Sequence, residues 1–103
     1  MKDEFAKSKM LVVYDHPKGA TQTYDDTCNV EFNGNKIKIT FREYGELKTW
    51  LGNCNDNDGH YEIVDAENIV HYGSMHKSSK SKIMIGRWHE NLVRGFWEIT
   101  LIK

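Results

Sequence analysis

The chain is expected to fold as an all-β protein, a small antiparallel up-and-down meander barrel of about eight strands. Three observations carry this reading. Short runs rich in Val, Ile, Thr, Tyr, Phe and Trp recur between turn signals, no segment keeps a 3.6-residue apolar period long enough to compel a helix, and proline occurs once, at Pro17. The 103 residues suit one domain, residues 1–103, with a single modest core and little slack for a large internal cavity.

The first strand is expected at Met10–Tyr14, and "DEFAKSK" before it is compatible with a short helical turn. The stretch "YDHPKGATQTYDDT" carries Pro, Gly and Asp and reads as a long loop. Asn29–Phe32, Lys36–Tyr44 and Leu47–Asn53 then form a meander that can be checked by parity, because partners across an even-length hairpin turn share a face. The turn at Asn33-Gly34 places Val30 and Phe32 with Ile37, Ile39 and Phe41, all apolar, against a reverse face of Lys36, Lys38, Thr40 and Arg42. A two-residue turn at Gly45 carries the apolar face on to Trp50.

The run "LGNCNDNDGHYE" invites a calcium-loop reading. With Gly59 at the sixth position, however, Cys54 falls where the first carboxylate belongs, although Asp56, Asp58 and Asp65 fit the third, fifth and twelfth positions. Its flanks are strand-like, so the expectation is a hairpin turn at Asp58-Gly59 that pairs Asn57 with His60 and keeps Trp50, Gly52 and Cys54 on the face of Tyr61 and Ile63. His60–Val64 and Ile69–Met75 follow as strands. Counting forward through Asp65-Ala66-Glu67-Asn68 puts Val70, Tyr72 and Ser74 inside, whereas counting back from Met84 puts His71, Gly73 and Met75 inside. A bulge or odd-length loop must absorb one residue, and either His71 or Tyr72 faces the core.

The last hairpin, Lys82–His89 with Arg94–Ile102 through "ENLV", pairs Trp88 with Gly95, Gly86 with Trp97 and Met84 with Ile99. Each indole then lies over a glycine of the neighbouring strand, a large-to-small pairing that suits a curved sheet. The opposite face carries Arg87, His89, Arg94, Glu98 and Thr100, interrupted by Ile83, Ile85 and Phe96.

Charge and cysteine use narrow the functional classes. The 14 basic and 15 acidic residues nearly cancel, so no global field draws in nucleic acid or an anionic membrane. The N-terminus interleaves Lys2, Asp3, Glu4, Lys7 and Lys9 with a short apolar run, unlike a signal peptide or a membrane span, and the expectation is a soluble, cytoplasmic protein. Cys28 and Cys54 lack CxxC spacing and read as ordinary thiols.

Gly86-x-Trp88, Gly95-x-Trp97-x-Ile99, Gly52 and Gly59-x-Tyr61-x-Ile63, which span the C-terminal half, resemble the up-and-down barrels of the calycin group: lipocalins, fatty-acid-binding proteins and avidins. The resemblance implies a barrel that holds a small apolar or aromatic molecule inside or at one mouth. It implies no particular chemistry, because function resides in lining residues and loops.

The expected ligand walls are Phe41, Trp50, Tyr61, Trp88 and Trp97, with Tyr72 included if it faces inward, and Glu43 and Lys48 at a mouth. The alternative for these aromatics is a filled core, as small barrels generally have. The second functional class is a compact barrel that binds a protein, as inhibitor or adaptor, through Lys77, Lys80, Lys82, Ile83, Ile85 and Phe96 or the Asp15–Thr27 loop; the patch around Phe96 also suits a homodimer. A third class, a small lyase or isomerase, would use a mouth histidine such as His71 with a carboxylate, while Asp15-His16 beside Pro17 suits an acid–base pair, a lid or an ordinary surface loop. No GxSxG, HExxH or close metal spacing occurs, so a zinc or iron site would have to be assembled from separate strands and no cofactor or metal is expected, and the lysines lack the aromatic interleaving of an oligonucleotide-binding surface.

Overall fold

The computed structural model describes residues 2–15, 21–54 and 59–103, with backbone alone for 21–25. Eight strands follow one another: β1 Lys2–Asp15, β2 Thr21–Asn33, β3 Lys36–Glu43, β4 Glu46–Cys54, β5 His60–Asp65, β6 Asn68–His76, β7 Ile83–Glu90 and β8 Val93–Thr100. Each pairs antiparallel with its sequence neighbour, and β8 returns to β1 to close an up-and-down barrel. The expected fold class is therefore the observed one.

The N-terminal helical turn is not. "DEFAKSK" belongs to β1, with Asp3 opposite Phe32 and Phe5 opposite Val30, and the register slips between Phe5 and Ser8. This irregularity puts Phe5 and Ser8, three residues apart, on the inward side ahead of the regular alternation of Met10 and Val12. A three-residue apolar step imitates a helical turn in sequence. Ser8 secures the irregularity: its Oγ donates to Phe5 O at 2.8 Å and accepts from Ile102 N at 3.1 Å. The long loop is also shorter than expected, since Thr21–Thr27 already belong to β2. His16, Pro17 and the Asn57 and Asp58 part of the second turn lie outside the described residues; Gly59, at the edge of that turn, has φ +80°.

The parity arguments hold where the turns are tight. Phe32 faces Ile37, Ile39 faces Trp50, Gly52 faces Ile63 and Cys54 faces Tyr61. Tyr44 and Gly45, at φ 51° and 79°, make the two-residue turn between β3 and β4. The β5–β6 conflict is resolved by a register shift between Val64 and Asp65, after which Ile63 faces Gly73 and Tyr61 faces Met75. His71 takes the inward phase, and Tyr72 is half exposed on the outside, stacked on His89 at 4.8 Å.

Inside, the barrel is packed. Val30, Ile39, Ile63, Met75, Met84 and Ile99 are at most 1% exposed and the three indoles 3% each, with Trp50 and Trp97 edge to face at 5.3 Å. Trp97 Nε1 donates to Ser74 O and Trp88 Nε1 to Phe96 O, both at 3.1 Å, so neither buried indole leaves its N–H unpaired. Trp88 lies over Gly95 as expected, its ring within 2.7 Å of where a Cβ would stand. Gly86 does face Trp97, but the atom that demands a glycine there is Ser74 O of β6, 1.7 Å from the position of a Cβ.

Candidate functional site

In an up-and-down barrel the ends of odd strands and the starts of even strands share one mouth. Among the described residues, inward-phase side chains there include Tyr14 of β1, Asp26 of β2, Glu43 of β3, Lys48 of β4, Asp65 of β5, His71 of β6, Glu90 of β7 and the apolar Val93 of β8. The alternation that buries Trp88 delivers Glu90 two residues on, and the one that buries Ile63 delivers Asp65. The result is a polar ring above an aromatic floor.

The floor is a niche of about 20 Å³ lined by Val12, Tyr14, Phe41, Trp50, Trp88 and Trp97, with the carboxylate-bearing Glu43 and Glu90 at its edge. It has room for one water-sized group and no more. Tyr14 and Trp88 meet edge to face at 4.8 Å. Beside it, sharing Tyr14 and Glu43, lies an open depression of about 310 Å³ completed by Asp26, Arg42 and Tyr44.

The ring is crowded with acids. His71 Nδ1 stands 3.4 Å from Asp65 Oδ2 and 3.6 Å from Glu90 Oε2, and Asp65 Oδ1 accepts from Glu67 N at 3.0 Å. His71 Nε2 lies 3.4 Å from Asn68 Nδ2. Burial pushes the Glu90 carboxyl above its ordinary value, and the negative charges of Glu43 and Asp65 push the same way, against His71 and Lys48. Donor atoms of Asp65, His71 and Glu90 all lie within 4.8 Å of one another, a nitrogen and two oxygens from three strands that a single cation could bridge.

Of the expected ligand-wall residues, Phe41, Trp50, Trp88 and Trp97 come together in the floor, with Glu43 at its edge. Lys48 is half-buried, its Nζ 3.6 Å from Glu46 Oε2. Tyr61 is buried at the opposite end of the barrel, against Phe32 at 5.9 Å, and Tyr72 lies on the outer surface, so neither contributes to this mouth. The outward register of β6 is the reason for Tyr72. A sequence reading that stopped at the indoles missed Tyr14, Asp65 and Glu90, although counting two residues beyond Val12, Ile63 and Trp88 finds all three.

Ile83, Ile85 and Phe96 share the outer face of β7 and β8, about half exposed, with the Arg87 guanidinium 5.3 Å above the Phe96 ring. Lys80 and Lys82 are exposed beyond the end of β6, whereas Lys77 Nζ turns back to donate to Ser78 O and Ser79 O. Both cysteines are buried thiols with no disulfide between them, and burial raises the Cys28 thiol to about 12, outside the range of a nucleophile at neutral pH.

These elements define the chain as a closed eight-stranded meander barrel with a packed interior and an acid-ringed mouth. Comparison with models of protein families, with curated proteins and with solved structures finds no match.

Proposed function

We propose that the chain is a non-enzymatic, calycin-like barrel that binds a small molecule at the Tyr14–Glu43–Glu90 mouth, and that this ligand is a primary amine with an apolar body. The observation that carries the reading is the niche itself: a water-sized space faced by indole and phenol rings and edged by two carboxylates. An ammonium group has that size, is attracted to aromatic faces and pairs with carboxylates. It would relieve the crowding of Glu43, Asp65 and Glu90, while the apolar body lies in the adjoining 310 Å³ depression along Tyr14 and Tyr44. That volume falls at the small end of ordinary ligand pockets. His71 is engaged by its neighbours, Asp65 and Glu90 at Nδ1 and Asn68 near Nε2.

The test is a titration followed by tryptophan emission, with 2-phenylethylamine and, as its anionic counterpart, 3-phenylpropionate. The amine is expected to shift the emission saturably and the acid to leave it unchanged, with Glu90→Gln and Glu43→Gln each weakening the amine at least about tenfold. Equal responses to both compounds, or none to the amine, would overturn the reading.

A further inference from the structure

A second cluster of chemistry-bearing side chains lies on the outside of the barrel at the other end of β5. His60 opens β5 and His76 closes β6, and the two are cross-strand partners. Lys77 N donates to Gly59 O at 2.8 Å, the bond that flanks a non-hydrogen-bonded pair, the type whose side chains stand closest together. Gly59 makes this closure possible, because at φ +80° a Cβ there would sit 2.1 Å from Lys77 O.

The imidazoles meet with their Nδ1 atoms 3.1 Å apart and their ring centroids 4.4 Å apart. Two nitrogens bound to one metal at 2.0–2.1 Å are separated by about 3.3 Å at the tetrahedral angle and about 2.9 Å at a right angle. The observed separation falls between these values. Glu62, two residues along the same face of β5, holds His60 Nε2 with its carboxylate at 2.5 Å. A carboxylate there accepts a hydrogen bond from Nε2–H of neutral His60, which places the lone pair at Nδ1, on the side of His76. The same arrangement orients metal-bound histidines generally.

We propose that His60 and His76 form a surface site for an imidazole-binding transition-metal dication of the Zn2+ and Ni2+ class, each giving Nδ1, with Glu62 as the positioning residue for His60 and water completing the coordination. For a metal to take the place of the present nitrogen–nitrogen contact, the two rings turn about their side-chain bonds until both Nδ1 lone pairs meet on it, the spacing of the nitrogens being already suitable. This site is independent of the mouth, where Asp65, His71 and Glu90 offer a different, oxygen-rich set.

The experiment is calorimetric titration of the whole protein with ZnCl2 alone, repeated with NiCl2, at pH 7.5. One ion per chain is expected. His76→Ala and His60→Ala should each weaken it at least about tenfold, and Glu62→Gln should weaken it several-fold without abolishing it. His71→Ala should retain wild-type affinity at this site. His60 and His76 are only partly buried or exposed, so near-ultraviolet dichroism should confirm that the variants fold; His76→Gln serves as a second, shape-preserving variant. The proposal fails if wild type binds no zinc more tightly than about 1 mM. It fails equally if His76→Ala and His76→Gln bind as wild type does, or if His71→Ala alone removes the ion, which would place the metal at the mouth.

Discussion

Replacing Gly86 by alanine tests the packing of the barrel at its most constrained point. The added Cβ would lie 1.7 Å from Ser74 O and 3.0 Å from Met75 Cα, both backbone atoms that cannot swing aside as a side chain can. Restoring an ordinary carbon–oxygen contact of about 3.3 Å requires β6 and β7 to part by about 1.6 Å, in a sheet whose strands run about 4.8 Å apart. A backbone bond lengthened by that amount is no longer a bond. The neighbourhood has little in reserve, because Ser74 O is also the acceptor for Trp97 Nε1. Losing one or two ladder bonds and the indole bond, each about 1 kcal/mol, with some overpacking strain, gives an expected loss of about 3–4 kcal/mol. Urea unfolding followed by tryptophan emission reads this as a lower midpoint at unchanged slope. A loss below about 1 kcal/mol would mean that β6 and β7 separate freely and would refute the reasoning.

Three further expectations concern other parts of the molecule. The Glu90 carboxyl is raised above its ordinary 4.5, so the folded state holds its proton more firmly than the unfolded state and the charged group costs stability as pH rises through the folded value. Glu90→Gln should match wild type near pH 4 and exceed it in urea midpoint at pH 8; a variant less stable than wild type at pH 8 would show that the pairing with His71 dominates. Ser8→Ala strips the acceptor from the Ile102 amide beside a fully buried position and should cost about 1–3 kcal/mol, with faster exchange of the Ile102 amide hydrogen; unchanged exchange would sink the assignment. Cys28, buried and raised to about 12, should resist iodoacetamide at pH 8 in the native protein and react once urea unfolds it, whereas rapid native labelling would show that β2 opens readily.

What the sequence disclosed follows the regularity of the backbone. Trp88 opposite Gly95 and Met84 opposite Ile99 were countable because a two-residue turn and strict alternation leave no freedom of register. Where the backbone inserts residues, counting fails: the slip between Phe5 and Ser8 disguised the start of β1 as a helical turn, and the shift after Val64 left His71 and Tyr72 undecided. The mouth was half legible. Glu43 and the indoles were found from their phase, while Asp65 and Glu90 sit at strand ends in turn-like company and were passed over. The demand for glycine at residue 86 was misattributed to Trp97, because the pairing of β6 with β7 that brings in Ser74 O spans a long connection that no local pattern specifies.

The seam between β1 and β8 also dictates an order of events during folding. Met10 meets Ile99 and Val12 meets Trp97, partners from nearly opposite ends of the chain, whereas every other pairing joins consecutive strands. Hairpins can form as soon as both arms exist, but this seam must wait for the last strand, and chains rich in such distant contacts fold slowly. A growing polypeptide therefore carries β1 with one edge open until Val93–Thr100 has been made. Unpaired edges of that kind recruit other chains unless charge deters them. Lys7 and Lys9, exposed on β1 in the finished barrel, stand where such a guard is needed.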